Sequence, residues 1–148
     1  MLLDKIGCRM RFELPAEKKW VHEVVVPLRW GDMDAMGHIN NTLYFRYMEI
    51  ARLDWIFRLG ASTDLTGEGP VIVNAFCNFL AQLEFPGDVR VSMYVGEPGR
   101  SSFETYHTLE RADQPGLCYA EGGARTVWTD YRAKKSTPLP DWFRAHLL

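Results

Sequence analysis

The sequence lacks most of what marks a secreted, membrane-spanning or nucleic-acid-binding chain. Cysteine is scarce: Cys8, Cys77 and Cys118 are odd in number and far apart, with no paired spacing for a disulfide framework, zinc or a redox dithiol. Small buried thiols in a reducing compartment are expected. No apolar run approaches the ~20 residues that a membrane-spanning helix needs, and Asp4 and Lys5 stand where a signal peptide would carry its apolar stretch. A cytoplasmic chain with no membrane partner follows as an expectation. Charge of one sign is also missing. A formal charge of −2 leaves no general field to recruit nucleic acid, so no nucleic-acid partner is expected. Repeats and low-complexity segments are absent. What is there is 148 residues, 47% apolar and 24% charged, the balance of one globular domain spanning residues 1–148.

Residues 1–19 follow neither the helical nor the strand period and read as an N-terminal arm. From Trp20 a two-residue alternation sets Val24, Val26, Leu28 and Trp30 on one face, which predicts a strand. Thr42 to Leu59 lacks Gly and Pro, and Tyr44, Met48, Ala51, Trp55 and Leu59 form one stripe at helical spacing. Leu43, Phe45, Ile50, Leu53, Ile56 and Phe57 spread apolar groups around the cylinder, so the helix is expected to be enclosed by the fold. Arg46, Glu49, Arg52, Asp54 and Arg58 form its expected solvated fringe, and Gly60 its stop. Val71, Val73, Ala75, Cys77, Phe79, Ala81, Leu83 and Phe85 then alternate without a break. Asn74 and Asn78 lie on the opposite, polar face. Turns at Pro86-Gly87, Pro98-Gly99 and Pro115-Gly116 join three more strands. Gly122-Gly123, inside the last strand, suggests a bulge or a close backbone approach. Asp141 to Leu147 can close the chain with a helical turn.

One long helix is the only element available to cover an antiparallel sheet, and a sheet that curls around it is the economical solution. The expected class is α+β, a hot-dog fold with an antiparallel five-stranded sheet wrapped around one central helix. A single helix covers a wide sheet poorly, so a homodimer or homotetramer is expected, with the strand from Val71 as the shared edge.

Polar groups concentrate in Asp32-Met33-Asp34-Ala35-Met36-Gly37-His38-Ile39-Asn40-Asn41, just ahead of the apolar helix. The unpaired N–H groups of a helix start carry partial positive charge. A carboxylate beside them can attack an acyl carbonyl or activate water while an N–H stabilises the oxyanion. Gly37 would let the backbone approach closely. Asp and Asn before a helix are also ordinary caps and turn formers. Asp32, Asp34 and His38 match no strong metal signature, and no metal is expected.

The run from Asp34 to Asn41, followed by Tyr44 and a helix, resembles the acyl-CoA thioesterases of the 4-hydroxybenzoyl-CoA thioesterase-like hot-dog family, over about Val21 to Asp130. The last few residues of the run also resemble plant acyl-ACP thioesterases. The resemblance implies hydrolysis of an acyl-CoA to free acid and CoA without metal or redox cofactor, CoA being part of the substrate. It implies Asp34 as nucleophile or general base, Asn41 as the backbone N–H donor to the thioester carbonyl, and Gly37 as part of the same site; His38 can hold a water or orient Asp34, or serve as a helix-capping or hydrogen-bonded structural histidine. Asn40, Asn74 and Arg100 are the implied substrate contacts, Arg100 towards a CoA phosphate. Asn40-Asn41 stands where the hydroxybenzoyl enzyme carries an aromatic pair, which favours a fatty or branched acyl chain over an aryl one. A related branch uses a mid-helix glutamate; Glu49 can imitate it or simply pair with Arg46 or Arg52. An acyl-thioester hydratase or dehydratase and a non-catalytic acyl-CoA-binding module are the alternative functions. Met36, Trp55, Phe76, Phe79 and Leu80 are candidate tunnel walls that are equally good as core. His22, His107 and His146 read as structural.

Overall fold

The computed structural model describes residues 10–62, 64 and 66–148, so Cys8 and residues 1–9 of the N-terminal arm lie outside the described residues. The order is β1 (Lys19–Pro27), a 3-10 turn (Trp30–Asp32), α1 (Asn41–Arg58), β2 (Glu68–Phe79), β3 (Asp88–Val95), β4 (Ser102–Arg111), β5 (Cys118–Asp130), β6 (Lys135–Ser136) and α2 (Asp141–Leu147). The long strands form one antiparallel sheet in the order β1-β3-β4-β5-β2. This is the hot-dog arrangement, extended by the two-residue β6, which pairs with the end of β5. Among the described residues, no helix is long and apolar enough to cross a membrane.

The core lies between α1 and the concave face of the sheet. β3 buries Val89, Val91, Met93 and Val95, and β4 buries Phe103, Thr105, His107 and Leu109, each set alternating as a half-buried strand requires. α1 returns Tyr44, Tyr47, Met48, Ala51, Trp55 and Ile56 to that face. Fully burying such side chains contributes about 1.5–3 kcal/mol each. The last turn of α1 is stopped by Leu59 and Gly60, the glycine at φ +97°. α2 plugs the end of the barrel-like curl, its Phe143 ring 5.6 Å from Trp55 and 5.0 Å from both Phe103 and Trp128.

The Gly122-Gly123 pair is a close approach rather than a bulge, for the register runs evenly through it. A Cβ on Gly122 would stand 2.5 Å from the Phe76 carbonyl oxygen and 2.7 Å from Met48 Sδ. α1 therefore rests on bare backbone at this point.

Several sequence expectations are corrected. Trp30 leaves the first strand for the 3-10 turn and is 74% exposed, because the chain bends after Leu28, whose N–H donates to the Gly87 carbonyl. β2 ends at Phe79 instead of Phe85. Leu80 and Ala81 both donate to the Tyr119 carbonyl, and beyond them the ladder with β5 is lost. α1 is covered on one side only, with Phe45, Leu53 and Phe57 exposed. Arg52 is half-buried rather than part of a solvated fringe. Asn78 is buried, donating to the Phe12 carbonyl at 2.6 Å and to Glu121 at 3.2 Å. Cys77 and Cys118 are free thiols, and burial pushes Cys77 up to about 12.

Candidate active site

Between the 3-10 turn and α1 the chain folds into a small hairpin. Met33 and Ile39 form its bridge, and Asp34 N–H donates to the His38 carbonyl at 2.7 Å. Gly37 N–H returns to the Asp34 carbonyl at 3.1 Å, with φ +77°, a conformation that L side chains adopt only at a cost. The Asp34 carboxylate accepts Met36 N–H at 2.8 Å and His38 N–H at 3.4 Å, both on Oδ1. Asp34 therefore does form the turn that short polar residues form before helices. It remains exposed while doing so.

The hairpin is fixed from below. Ile39, buried, donates its N–H to the Leu83 carbonyl at 2.8 Å, and the Tyr44 hydroxyl accepts Leu83 N–H at 3.0 Å. Burial raises the Tyr44 phenol above its ordinary value, the Leu83 hydrogen bond opposes this, and the nearby charges of Cys77 and Asp34 add to the rise. Burial, then the charge of Asp32, pushes Tyr47 up to about 12. Both phenols therefore stay neutral at neutral pH.

Asn40 caps α1. Its Oδ1 accepts Thr42 N–H at 2.9 Å and the Thr42 hydroxyl at 2.8 Å, and its carbonyl accepts Leu43 N–H. Asn41 is the first helical residue, exposed, and its N–H has no acceptor within its own helix. The loop therefore exposes both a carboxylate and a dipole-polarised N–H. Such a pair can polarise a carbonyl and bring a carboxylate, or a water that it activates, to the carbonyl carbon.

Asp34, Gly37, His38, Asn40 and Asn41 are brought together in this way. The His38 imidazole has Nε2 3.4 Å from Glu84 Oε1, and His38 meets the Asp34 carboxylate through its backbone N–H. Arg100 and Asn74 stand apart. The Arg100 carbonyl accepts Leu139 N–H, and the neighbouring Ser101 carbonyl accepts Trp128 N–H. Arg100 is thus separated from the hairpin by the run of β5 from Tyr119 to Trp128, about 30 Å at strand rise. Asn74 lies partway along the edge strand β2, accepting Arg125 N–H. Trp55 alone among the candidate tunnel residues lines a cavity beneath α1. The Phe76 ring packs tilted against Phe12, the Phe79 ring meets Tyr44 edge to face, and Met36 is exposed. Glu84, Leu83 and the Tyr44 hydroxyl were missed by sequence reasoning, which read the first two as alternating strand residues and the third as core. Among the described residues, no cluster of three or more metal-ligating side chains is assembled.

Comparison with known proteins adds to this geometry. The family model of the thioesterase-like superfamily matches residues 28–147. A candidate thioesterase from Pseudomonas aeruginosa is 39% identical in sequence, with a TM-score of 0.84 over 88% of this chain and 100% of its own. A candidate acyl-CoA thioesterase from Xanthomonas campestris is 33% identical, with a TM-score of 0.71 over 82% of this chain and 100% of its own. A gentisyl-coenzyme A thioesterase is 26% identical, with a TM-score of 0.74 over 85% of this chain and 99% of its own.

Proposed function

The chain belongs to the thioesterase-like superfamily and is a thioester hydrolase, and from that premise we propose that it cleaves an acyl-CoA to free acid and CoA at the Asp34–Asn41 loop. The observation that carries the reading is the exposed Asp34 carboxylate held in a hairpin that runs directly into the first N–H of α1. The thioester oxygen accepts from Asn41 N–H. Asp34 then attacks the carbonyl carbon, giving an anhydride that water opens, or removes a proton from the attacking water. In both routes the C–S bond breaks, CoA leaves as its thiol, and no metal or redox partner takes part. Gly37 sets the hairpin, Asn40 fixes the helix start, and Glu84 holds the His38 ring so that its backbone can close the turn. The acyl-CoA in the name of the Xanthomonas relative supports CoA as carrier. Arg100 and Asn74 serve as substrate contacts only to a ligand that spans subunits, which fits a homodimer or homotetramer built on the β2 edge.

Thiol release from acyl-CoAs, followed with a thiol reagent, tests this. Asp34→Asn keeps the turn-forming oxygen, so stability should change by about 1 kcal/mol or less. Turnover should fall by ~10² or more, because a neutral amide neither attacks nor takes a proton. Asp32→Asn, on the Tyr47 side, should cost less. Near-normal turnover by folded Asp34→Asn would remove Asp34 from the chemistry.

A further inference from the structure

A cavity of about 360 Å³ lies between α1 and the sheet. Its walls are largely apolar, Trp55 and Phe103 among them, yet Arg52 of α1, Thr105 of β4 and Thr126 of β5 also line it. Thr105 and Thr126 are 0% and 1% exposed, and neither hydroxyl has a hydrogen-bond partner among the described residues. Arg52 makes no hydrogen bond or ion pair with another described residue. Glu49, which also borders the cavity, pairs with Arg46 at 3.5 Å and acts on Arg52 only through space, so the cation facing this space is the Arg52 guanidinium. Burial lowers that guanidinium from its ordinary value and Glu49 opposes the change. His107, two residues along β4 from Thr105 and so on the same face, is fully buried, and neither ring nitrogen has a hydrogen-bond partner among the described residues.

Valine would fill the two threonine positions with nearly the same shape and no hydroxyl to satisfy, so the polar groups cost stability where they stand. Two donors and a cation, contributed by three elements and converging on an otherwise apolar space, suit an anionic oxygen group at the end of an apolar chain. Arg52 lies about 16 Å along α1 from Asn41 at helical rise, so the cavity reads the far end of an acyl group and not its thioester. We propose that this cavity binds the distal end of the acyl group and selects one that ends in a carboxylate, the mono-CoA thioester of a dicarboxylic acid, through Arg52, Thr105 and Thr126. The proposal rests on the acyl-CoA reading above.

The test compares kcat/KM for CoA thioesters of equal chain length ending in methyl, hydroxyl or carboxylate. The wild type should favour the carboxylate over the methyl end by ~10-fold or more, with the hydroxyl between, because unpaired site groups reject the analogue that lacks their partner. Arg52→Met should abolish or invert that order while keeping turnover of the methyl-ended thioester. Thr126→Val should narrow the preference and leave the fold at least as stable. A wild type that favours the methyl end, or an Arg52→Met variant that slows all three thioesters equally, would overturn the proposal. If no thioester releases thiol, the acyl-CoA reading fails, and the cavity is judged on the free acids. A dicarboxylic acid should then raise Tm more than the monocarboxylic acid of the same length in the wild type but not in Arg52→Met. Equal shifts would overturn the cavity proposal by itself.

Discussion

His107 brings an ionisable ring into the core with no hydrogen-bond partner for either nitrogen among the described residues. Burial, and then the charge of Arg52, holds it well below its ordinary value of 6.5, so it is neutral in the folded protein at neutral pH. The unfolded chain takes up a proton near that ordinary value and the folded one resists. The stability that follows is complete above pH 6.5 and is lost as the pH falls, by up to about 1.4 kcal/mol per pH unit. Urea unfolding from pH 6.5 to 5 should show this slope, and His107→Leu should flatten it. A slope unchanged by the substitution would mean that another group carries it. Asp54 acts in a separate window. His22 at 2.7 Å and then Arg58 at 2.9 Å hold it below 3.8, so its contribution is lost only below about pH 4. At this scale the Asp34-to-Asn41 site was legible because its parts are neighbours in sequence. Glu84 beside His38, Asp54 beside His22 and Arg52 near His107 were not, because each pair is joined only by the fold.

Among the elements, α1 and β5 depend on each other at Gly122. Any side chain there meets the Phe76 carbonyl and the Met48 thioether. Met48 can move, but the β2 backbone cannot without breaking its ladder with β5. Gly122→Ala should therefore cost about 1–3 kcal/mol, read by denaturant unfolding, and should reduce turnover by shifting the helix that carries Asn41. A variant as stable as wild type would show that α1 is free to lift. Inward packing also explains why the sequence alternation runs on to Phe85, past the end of β2 at Phe79. Leu83 points inward and preserves the alternation, but its carbonyl binds Ile39 and its N–H the Tyr44 hydroxyl. That segment belongs to the floor of the candidate site, and alternation records which side faces the core, not what the backbone pairs with.

For the molecule as a whole, the uncovered surface is the issue. Phe45, Leu53 and Phe57 on α1 and Val71, Ile72 and Val73 on β2 are exposed, and β2 is an edge strand. Apolar groups beside an unpaired edge call for a partner, and a second copy joined at β2 would cover both. Sedimentation at micromolar concentration should find a dimer or a dimer of dimers, and Val73→Lys should shift it towards monomer and lower turnover. A wild-type monomer with full activity would remove any role for shared residues, Arg100 and Asn74 included.

By itself the sequence determined the order of elements, the inward stripe of α1, the helix stop at Gly60 and the carboxylate-rich loop before α1. All of these are local, because periodicity, capping and turn chemistry act over a few residues. The tertiary structure alone decided where β2 gives up its ladder, which side of α1 stays bare, that Arg100 stands far from Asp34, and that Arg52, Thr105 and Thr126 meet in one cavity. Those outcomes depend on which segments compete for the same backbone groups and the same buried space, and residues distant in sequence settle that competition only once the sheet has closed around the helix.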